Sequence, residues 1–148
     1  MFATSLPRQV QEPIAAKRLL TSEIRAADDQ RLGDTVLLSD NSRLVGFAVC
    51  HCGAGSEAGS GAAYVKFGVV RSGLAAEQHF EELLKTCEEF AARNRALRLI
   101  AGANTGRAQA YRSMLAQGFR AEFQGVAMHL GNDPGYNREG VYLIDDWR

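Results

Sequence analysis

The chain has 148 residues, of which 46% are apolar and 23% charged, enough to bury one hydrophobic core but not two sizeable ones. Its 17 basic and 17 acidic side chains cancel, so no overall field would draw it onto nucleic acid or an anionic membrane, and we expect neither partner. No apolar run approaches the ~20 residues of a membrane helix. The N-terminus does not resemble a signal peptide, and 3 cysteines do not suggest a disulfide framework, so we expect a cytoplasmic protein.

The beginning of the chain has little regular pattern. Residues 1–13 contain two prolines and no apolar period, which predicts an irregular tail ahead of a single domain over residues 14–148. Ile14–Ala27 favours one or two short helices. The turn residues Asp40-Asn41-Ser42 then separate two strands, Thr35–Leu38 and Leu44–His51, and predict a hairpin.

A glycine-rich loop from Gly53 to Gly61 precedes the next strand, Ala63–Val70. A dinucleotide-binding glycine fingerprint opens a helix, whereas this loop leads into a strand, so we interpret it as a flexible connection. Within the strand, Gly68 is unusual, because glycine weakens a strand unless it forms a bulge or lets another backbone or a ligand approach closely. Those alternatives stay open at this point.

The clearest periodic pattern in the sequence predicts a helix over Ala76–Arg93. Apolar residues recur at intervals of three and four and form one stripe: Phe80, Leu83, Leu84, Cys87, Phe90 and Ala91. A strand, Leu97–Ala103, and a helix, Arg107–Gln117, follow, with Gly118 as the left-handed stop. Strands joined through a helix are normally parallel, so Tyr64–Phe119 is predicted to be a βαβα unit.

Two further strands are predicted towards the C-terminus, Glu122–Leu130 and Val141–Ile144. The whole pattern predicts a mixed, twisted α/β sheet of about six strands around the central βαβα unit. Cys50-His51-Cys52 does not predict a metal site, because strand alternation sends His51 away from both thiols and no second cluster completes a ligand set.

Several residues of the central unit and the order of the elements resemble the A and B motifs of the GNAT acetyltransferase superfamily. These residues are Leu83-Leu84, Ala91-Ala92, Asn104, Ala108, Tyr111 and Gly118-Phe119. The resemblance covers about Val36 to Ile144. It implies a GNAT-like fold with a V-shaped cleft between the two parallel strands, and an enzyme that transfers an acetyl or other acyl group from coenzyme A to an amine.

The resemblance also implies a site. Coenzyme A would lie in the cleft with its pantetheine arm on the backbone of the first parallel strand and its pyrophosphate at the start of the long helix, and Tyr111 would protonate the departing thiolate. The implied cofactor-binding residues are Phe67, Gly68, Val69, Arg71, Ser72, Gly73, Ala75, Ala76, Asn104 and Arg107. The acceptor would be a small-molecule or peptide amine.

Three features keep alternatives open. In Arg71-Ser-Gly-Leu-Ala-Ala76, Leu74 stands where the family has the first glycine of its pyrophosphate loop. Arg107 opposes the dipole in the first turn of its helix, so we expect it to meet either a phosphate or a protein carboxylate. Tyr111 is either the proton donor or a core aromatic.

The alternative function is therefore a non-catalytic GNAT-like domain that binds acyl-CoA or a protein partner. Either function would be compatible with a homodimer or a tandem arrangement with a second GNAT-like domain.

Overall fold

The computed structural model describes residues 21–22, 24–126 and 139–145, so the predicted tail lies outside the described residues. The described elements, in chain order, are α1 (residues 24–29), β1 (Gly33–Asp40), β2 (Arg43–Gly53), β3 (Gly59–Val70), α2 (Ala76–Arg93), β4 (Arg98–Ala101), α3 (Ala108–Ala116) and β5 (Leu143–Ile144).

The described strands form one mixed sheet of five strands in the order β1-β2-β3-β4, with β5 also paired to β3. The first three strands are antiparallel neighbours, whereas β3 and β4 are parallel. The parallel pair follows from the α2 crossover, as the sequence predicts. The mixed α/β class is therefore confirmed.

Of the six expected strands, the described residues contain five, and the remaining one falls in the segment after α3. Residues 122–126 of the predicted strand Glu122–Leu130 are not in a strand, and its remaining residues lie outside the described part of the chain. Phe123 and Val126 are about nine-tenths exposed. In the described residues, these apolar side chains lack a neighbouring strand that would bury them.

The β1–β2 hairpin turns through two residues in left-handed backbone conformations, Asn41 at φ 48° and Ser42 at φ 64°. Two consecutive positive φ values define the hairpin turn whose twist matches that of its strands. The predicted hairpin is confirmed, with both strands longer than the sequence pattern indicated.

Helix α2 has the predicted bounds and covers one face of the sheet. Its apolar stripe is buried, with Phe80, Leu83 and Leu84 fully inaccessible. Each such side chain contributes roughly 1.5–3 kcal/mol of transfer free energy on burial. The thiols of Cys50 on β2 and Cys87 on α2 meet there at 3.9 Å. In the part of the chain that the structure describes, no helix is both long and apolar enough to span a membrane.

Helix α3 ends as its sequence predicts. Gly118 has φ 95°, and the Phe119 amide donates to the Met114 carbonyl at 3.1 Å. The Gly118 amide donates to the Leu115 carbonyl at the same distance. This pair of bonds is the Schellman motif, which satisfies the last carbonyls of the helix and turns the chain back.

Candidate functional site

The parallel strands β3 and β4 pair only at the start and then part. Their register runs from Ala62 opposite Arg98 to Val65 opposite Ala101, where β4 ends. Strand β3 continues without β4 to Val70, shortly before α2 begins. The opening lies at the carboxyl ends of two parallel strands, beside a helix N-terminus, which is where open α/β sheets commonly bind ligands.

A bulge lies in β3 where the two strands part. Val49 of β2 pairs with Phe67 of β3, but Cys50 pairs with Val65, so Lys66 is the extra residue. A bulge bends its strand and redirects the local backbone groups. The bulge therefore lies two residues before Gly68, the position that the sequence singled out.

Strand β5 occupies the opening between β3 and β4. Ile144 pairs with Gly68 and Leu143 with Val69. The Asp145 amide then donates to the Gly102 carbonyl, just past β4, at 3.3 Å. The backbone edge that the resemblance assigns to pantetheine thus carries a strand of the protein itself.

Gly68 permits this close approach. A Cβ atom added at Gly68 would lie 3.2 Å from Cδ1 of Ile144 and 3.5 Å from Cβ of Ala48. Of the alternatives that the sequence left open for this glycine, the structure shows the approach of another strand. Ile144 itself has no exposed surface and belongs to the hydrophobic core.

Arg107 forms an ion pair with the residue that follows β5. Its Nη1 donates to Oδ2 of Asp145 at 2.7 Å, and only 8% of the arginine side chain is exposed. A carboxylate is thus the anion beside this first-turn arginine, one of the two partners expected from the sequence. The other oxygen of Asp145, Oδ1, is buried without a hydrogen-bond partner among the described residues.

The loop before α2 lies open at the end of β3. Residues 71–75 are all exposed, and Gly73 has φ 146°. The Arg71 amide donates to the Val45 carbonyl at 2.7 Å, which fixes the start of the loop against β2. Ala75 at the N-cap contributes no side-chain hydrogen bond, while Glu77 lies in the first turn of the helix. Ala76 is buried.

Asn104 and Tyr111 lie at the start of α3. Oδ1 of Asn104 accepts from the Gly106 amide at 2.8 Å, and its carbonyl accepts from the Arg107 amide at 2.9 Å, so Asn104 shapes the turn into the helix. Tyr111 is half-buried and follows Arg107 by four residues. Residues with this spacing share one face of a helix, which places Tyr111 on the side of α3 where Arg107 meets β5.

The structure therefore gathers Gly68, Val69 and Arg107 around β5, with Phe67 beside them on β3. Ile144 and Asp145 belong to this site as well, although the sequence pattern did not identify them. A sequence signal existed for Asp145, because a buried cation in a first turn needs an anion and Asp145 follows an apolar stretch.

A second concavity, of about 680 Å³, lies elsewhere and contains none of the predicted site residues. Its lining residues are Asp28, Arg31, Gly33, Asp34, Cys52, Gly53, Phe90, Arg93 and Asn94. Among the described residues, no group of three or more histidine, cysteine or acidic side chains is arranged to hold a metal ion.

Comparisons with known proteins support the fold alone. No protein-family model matches the chain, and no curated protein matches it. Two crystal structures of the protein TTHA1254 from Thermus thermophilus are similar to it. A point mutant of that protein superimposes with a TM-score of 0.52 and the wild type with 0.51. Both are 17% identical in sequence, and each alignment covers 70% of this chain and 75% of the other.

Proposed function

We propose that the protein is a coenzyme A-dependent acyltransferase that moves an acetyl or other acyl group onto a small-molecule or peptide amine. The observation that carries this proposal is the opening where β3 and β4 part after Val65, with a bulge at Lys66 and the α2 N-terminus nearby. The GNAT resemblance in the sequence assigns the cofactor to this opening.

The proposal requires acyl-CoA to displace β5, whose pairing with β3 covers only Gly68 and Val69. Pantetheine amides would replace those main-chain hydrogen bonds, and a phosphate would replace Asp145 beside Arg107. The main net loss is the burial of Ile144, up to about 3 kcal/mol, because a phosphate would take the place of Asp145 as the partner of Arg107. The free energy needed to displace β5 would weaken the apparent affinity for acyl-CoA roughly 10²-fold without preventing binding.

In the proposed reaction the amine nitrogen attacks the thioester carbonyl carbon and forms a C–N bond, while the C–S bond breaks. A backbone amide of β3 near the bulge would polarise the carbonyl oxygen. The Tyr111 hydroxyl would donate a proton to the departing thiolate, which is a general-acid step. Arg71, Ser72, Gly73 and Ala75 would approach the pyrophosphate through the exposed loop before α2.

Binding is the first test. Acetyl-CoA at about a hundredfold its dissociation constant should raise the free energy of unfolding by about 2.7 kcal/mol, measured by urea denaturation. ADP, which lacks the pantetheine arm, serves as the control ligand and should stabilise the protein much less. An unfolding curve that acetyl-CoA does not shift would contradict the proposal.

Turnover is the second test. With acetyl-CoA and a panel containing n-butylamine and a lysine-containing peptide, the protein should release free coenzyme A thiol. Tyr111→Phe should lower the rate while leaving acetyl-CoA binding unchanged. A variant at the neighbouring exposed position, Arg112→Gln, is the control for the helix itself.

A second candidate function is a non-catalytic GNAT-like domain, and the burial of β5 favours it. Ile144 is fully buried, Tyr142 is 4% exposed, and Asp145 pairs with Arg107, so β5 has the contacts of a permanent element. In this case the chain would recognise a protein partner, such as a second copy or a tandem domain, or would bind acyl-CoA without chemistry. Acetyl-CoA binding without thiol release from any amine of the panel would support it.

A further inference from the structure

His51 is a buried polar side chain on β2 without a hydrogen-bond partner among the described residues. Only 3% of it is exposed, and in the described part of the chain neither Nδ1 nor Nε2 has a hydrogen-bond partner. An imidazole carries at least one N–H donor, and burying a donor without a partner costs roughly 1–3 kcal/mol. A group buried at such a cost is a candidate for a functional contact.

Two charged groups among the described residues, Glu57 and Lys66, link His51 to the bulge. Nδ1 of His51 lies 3.9 Å from Oε2 of Glu57, in the loop between β2 and β3. Glu57 in turn accepts two hydrogen bonds from Nζ of Lys66, at 2.9 and 3.0 Å. Lys66 is the bulge residue of β3. Glu57 is partly exposed, so it connects the buried imidazole with solvent.

His51 lies on the sheet face opposite α2. Cys50, its neighbour on β2, points towards Cys87 of α2, and strand alternation directs His51 the other way. His51 is paired across the strands with Tyr64, two residues before the bulge. Tyr64 is also buried.

In the proposed reaction an acceptor amine would approach a thioester held at the bulge from this face. The α2 face is filled by the core side chains Phe80, Leu83 and Leu84. From the strand spacing and rise, the His51 backbone lies about 8 Å from that of Lys66. The opening lies on the far side of β3 from β2, so a proton from an amine bound there would reach the imidazole through bound waters.

We propose that His51, with the carboxylate of Glu57 close by, is the proton acceptor for the amine substrate, an inference that rests on the proposed acyltransferase function. An unprotonated ring nitrogen of His51 takes one proton from the ammonium form of the amine, and Glu57 stabilises the resulting imidazolium. The neutral amine then forms the C–N bond as the C–S bond breaks. Tyr111 protonates the thiolate and regains the second amine proton, and the proton on His51 leaves through Glu57 to water.

The test compares two histidines that each lie near one carboxylate. His51→Gln should lower kcat by about 10²–10⁴-fold and leave acetyl-CoA affinity unchanged. His79→Gln is the matched control, because Nε2 of His79 lies 3.8 Å from Asp40, a distance similar to that of the His51–Glu57 pair. The control should leave kcat unchanged. Circular dichroism and urea unfolding establish that both variants fold.

Chemical rescue separates a proton acceptor from a structural residue. In His51→Ala, free imidazole should restore part of kcat with saturation, which a residue that only supports the strand would not show. Glu57→Gln changes a partly exposed loop residue, so it provides a folded variant if the His51 variants do not fold. It should lower kcat without changing acetyl-CoA affinity.

The binding and turnover results distinguish a failure of the role of His51 from a failure of the proposed acyltransferase function. A wild-type protein that does not bind acetyl-CoA, or binds it without transfer to any amine, overturns both. Normal turnover in His51→Gln, or a His51→Ala variant insensitive to imidazole, overturns the role of His51 alone. If neither His51 variant folds and Glu57→Gln does, an unchanged kcat in Glu57→Gln overturns the role of His51.

Discussion

Tyr142 connects the segment that closes the opening with the long helix. Its ring packs against Phe80 of α2 with ring centroids 5.3 Å apart, and only 4% of the residue is exposed. Burial, followed by the nearby carboxylates Glu77 and Glu81, raises the pKa of the Tyr142 hydroxyl. All three effects act against the tyrosinate, so the folded state favours the neutral phenol.

The raised pKa of Tyr142 predicts a loss of stability in alkaline solution. A tyrosine in the unfolded chain loses its proton near a pKa of about 10, whereas Tyr142 in the folded protein retains it to higher pH. The unfolded state therefore binds fewer protons above that pH, and the free energy of unfolding falls as the pH rises. Urea denaturation between about pH 8 and pH 11 should show a shallower decline for Tyr142→Phe than for the wild type. Equal slopes would contradict the assignment.

For single residues, the sequence indicated which positions are unusual but not what they contact. Gly68 predicted a close approach and Arg107 predicted an anion, and the structure supplies Ile144 and Asp145. Asp145 lies 38 residues after Arg107. No local pattern links two positions at that separation, because their contact depends on where the C-terminal strand docks.

Among the helices and strands, α2 was predictable because its three- and four-residue apolar period matches its packing against the sheet. The segment after α3 was not, because the pairing of a strand depends on its neighbour as well as on its own residues. Residues 122–126 contain Phe123 and Val126 but, among the described residues, have no paired strand. Strand β5, by contrast, has only two residues and still pairs with β3 at Gly68 and Val69.

The N-terminus of α2 allows the proposed phosphate site to be tested apart from helix stability. Glu77 is the acidic residue of the first turn, where its charge interacts favourably with the helix dipole and would repel a pyrophosphate. Glu77→Gln should therefore lower the free energy of unfolding by about 0.3–1 kcal/mol and tighten acetyl-CoA binding. Urea denaturation and calorimetric titration measure the two effects.

Glu88→Gln is the matched control for Glu77→Gln. Glu88 is an exposed residue further along the same helix, away from the first turn. Its removal should change neither acetyl-CoA affinity nor the dipole interaction. Weaker binding in Glu77→Gln, or equal effects in both variants, would count against a phosphate site at this helix end.

In the protein as a whole, β5 contributes to the hydrophobic core and also fills the proposed cofactor opening. It contributes the fully buried Ile144, and the residue after it holds Arg107. If acyl-CoA binds where β5 docks, the open state is the one competent to bind. Any change that weakens the docking of β5 then lowers stability and raises apparent affinity together, because the two states share one equilibrium.

Ile144→Ala tests that coupling. Truncating a buried isoleucine costs about 2–5 kcal/mol of folding free energy. Part of this loss also reduces the free energy needed to open the cleft, so acetyl-CoA should bind roughly tenfold more tightly for each 1.4 kcal/mol removed from the closure. Leu37→Ala, at a position on β1 that is 62% exposed, is the control and should change stability by less than about 0.5 kcal/mol and leave affinity unchanged.

A permanent β5 and a displaceable β5 predict different results for the Ile144→Ala variant. A permanent β5 predicts a less stable protein with no gain in acetyl-CoA binding, because the backbone edge at Gly68 and Val69 stays paired in the folded state. A displaceable β5 predicts opposite changes in stability and affinity, measured by urea denaturation and calorimetric titration on the same samples. Only the second result is compatible with an acyltransferase that uses this opening, because the cofactor and β5 would compete for the same backbone groups of β3.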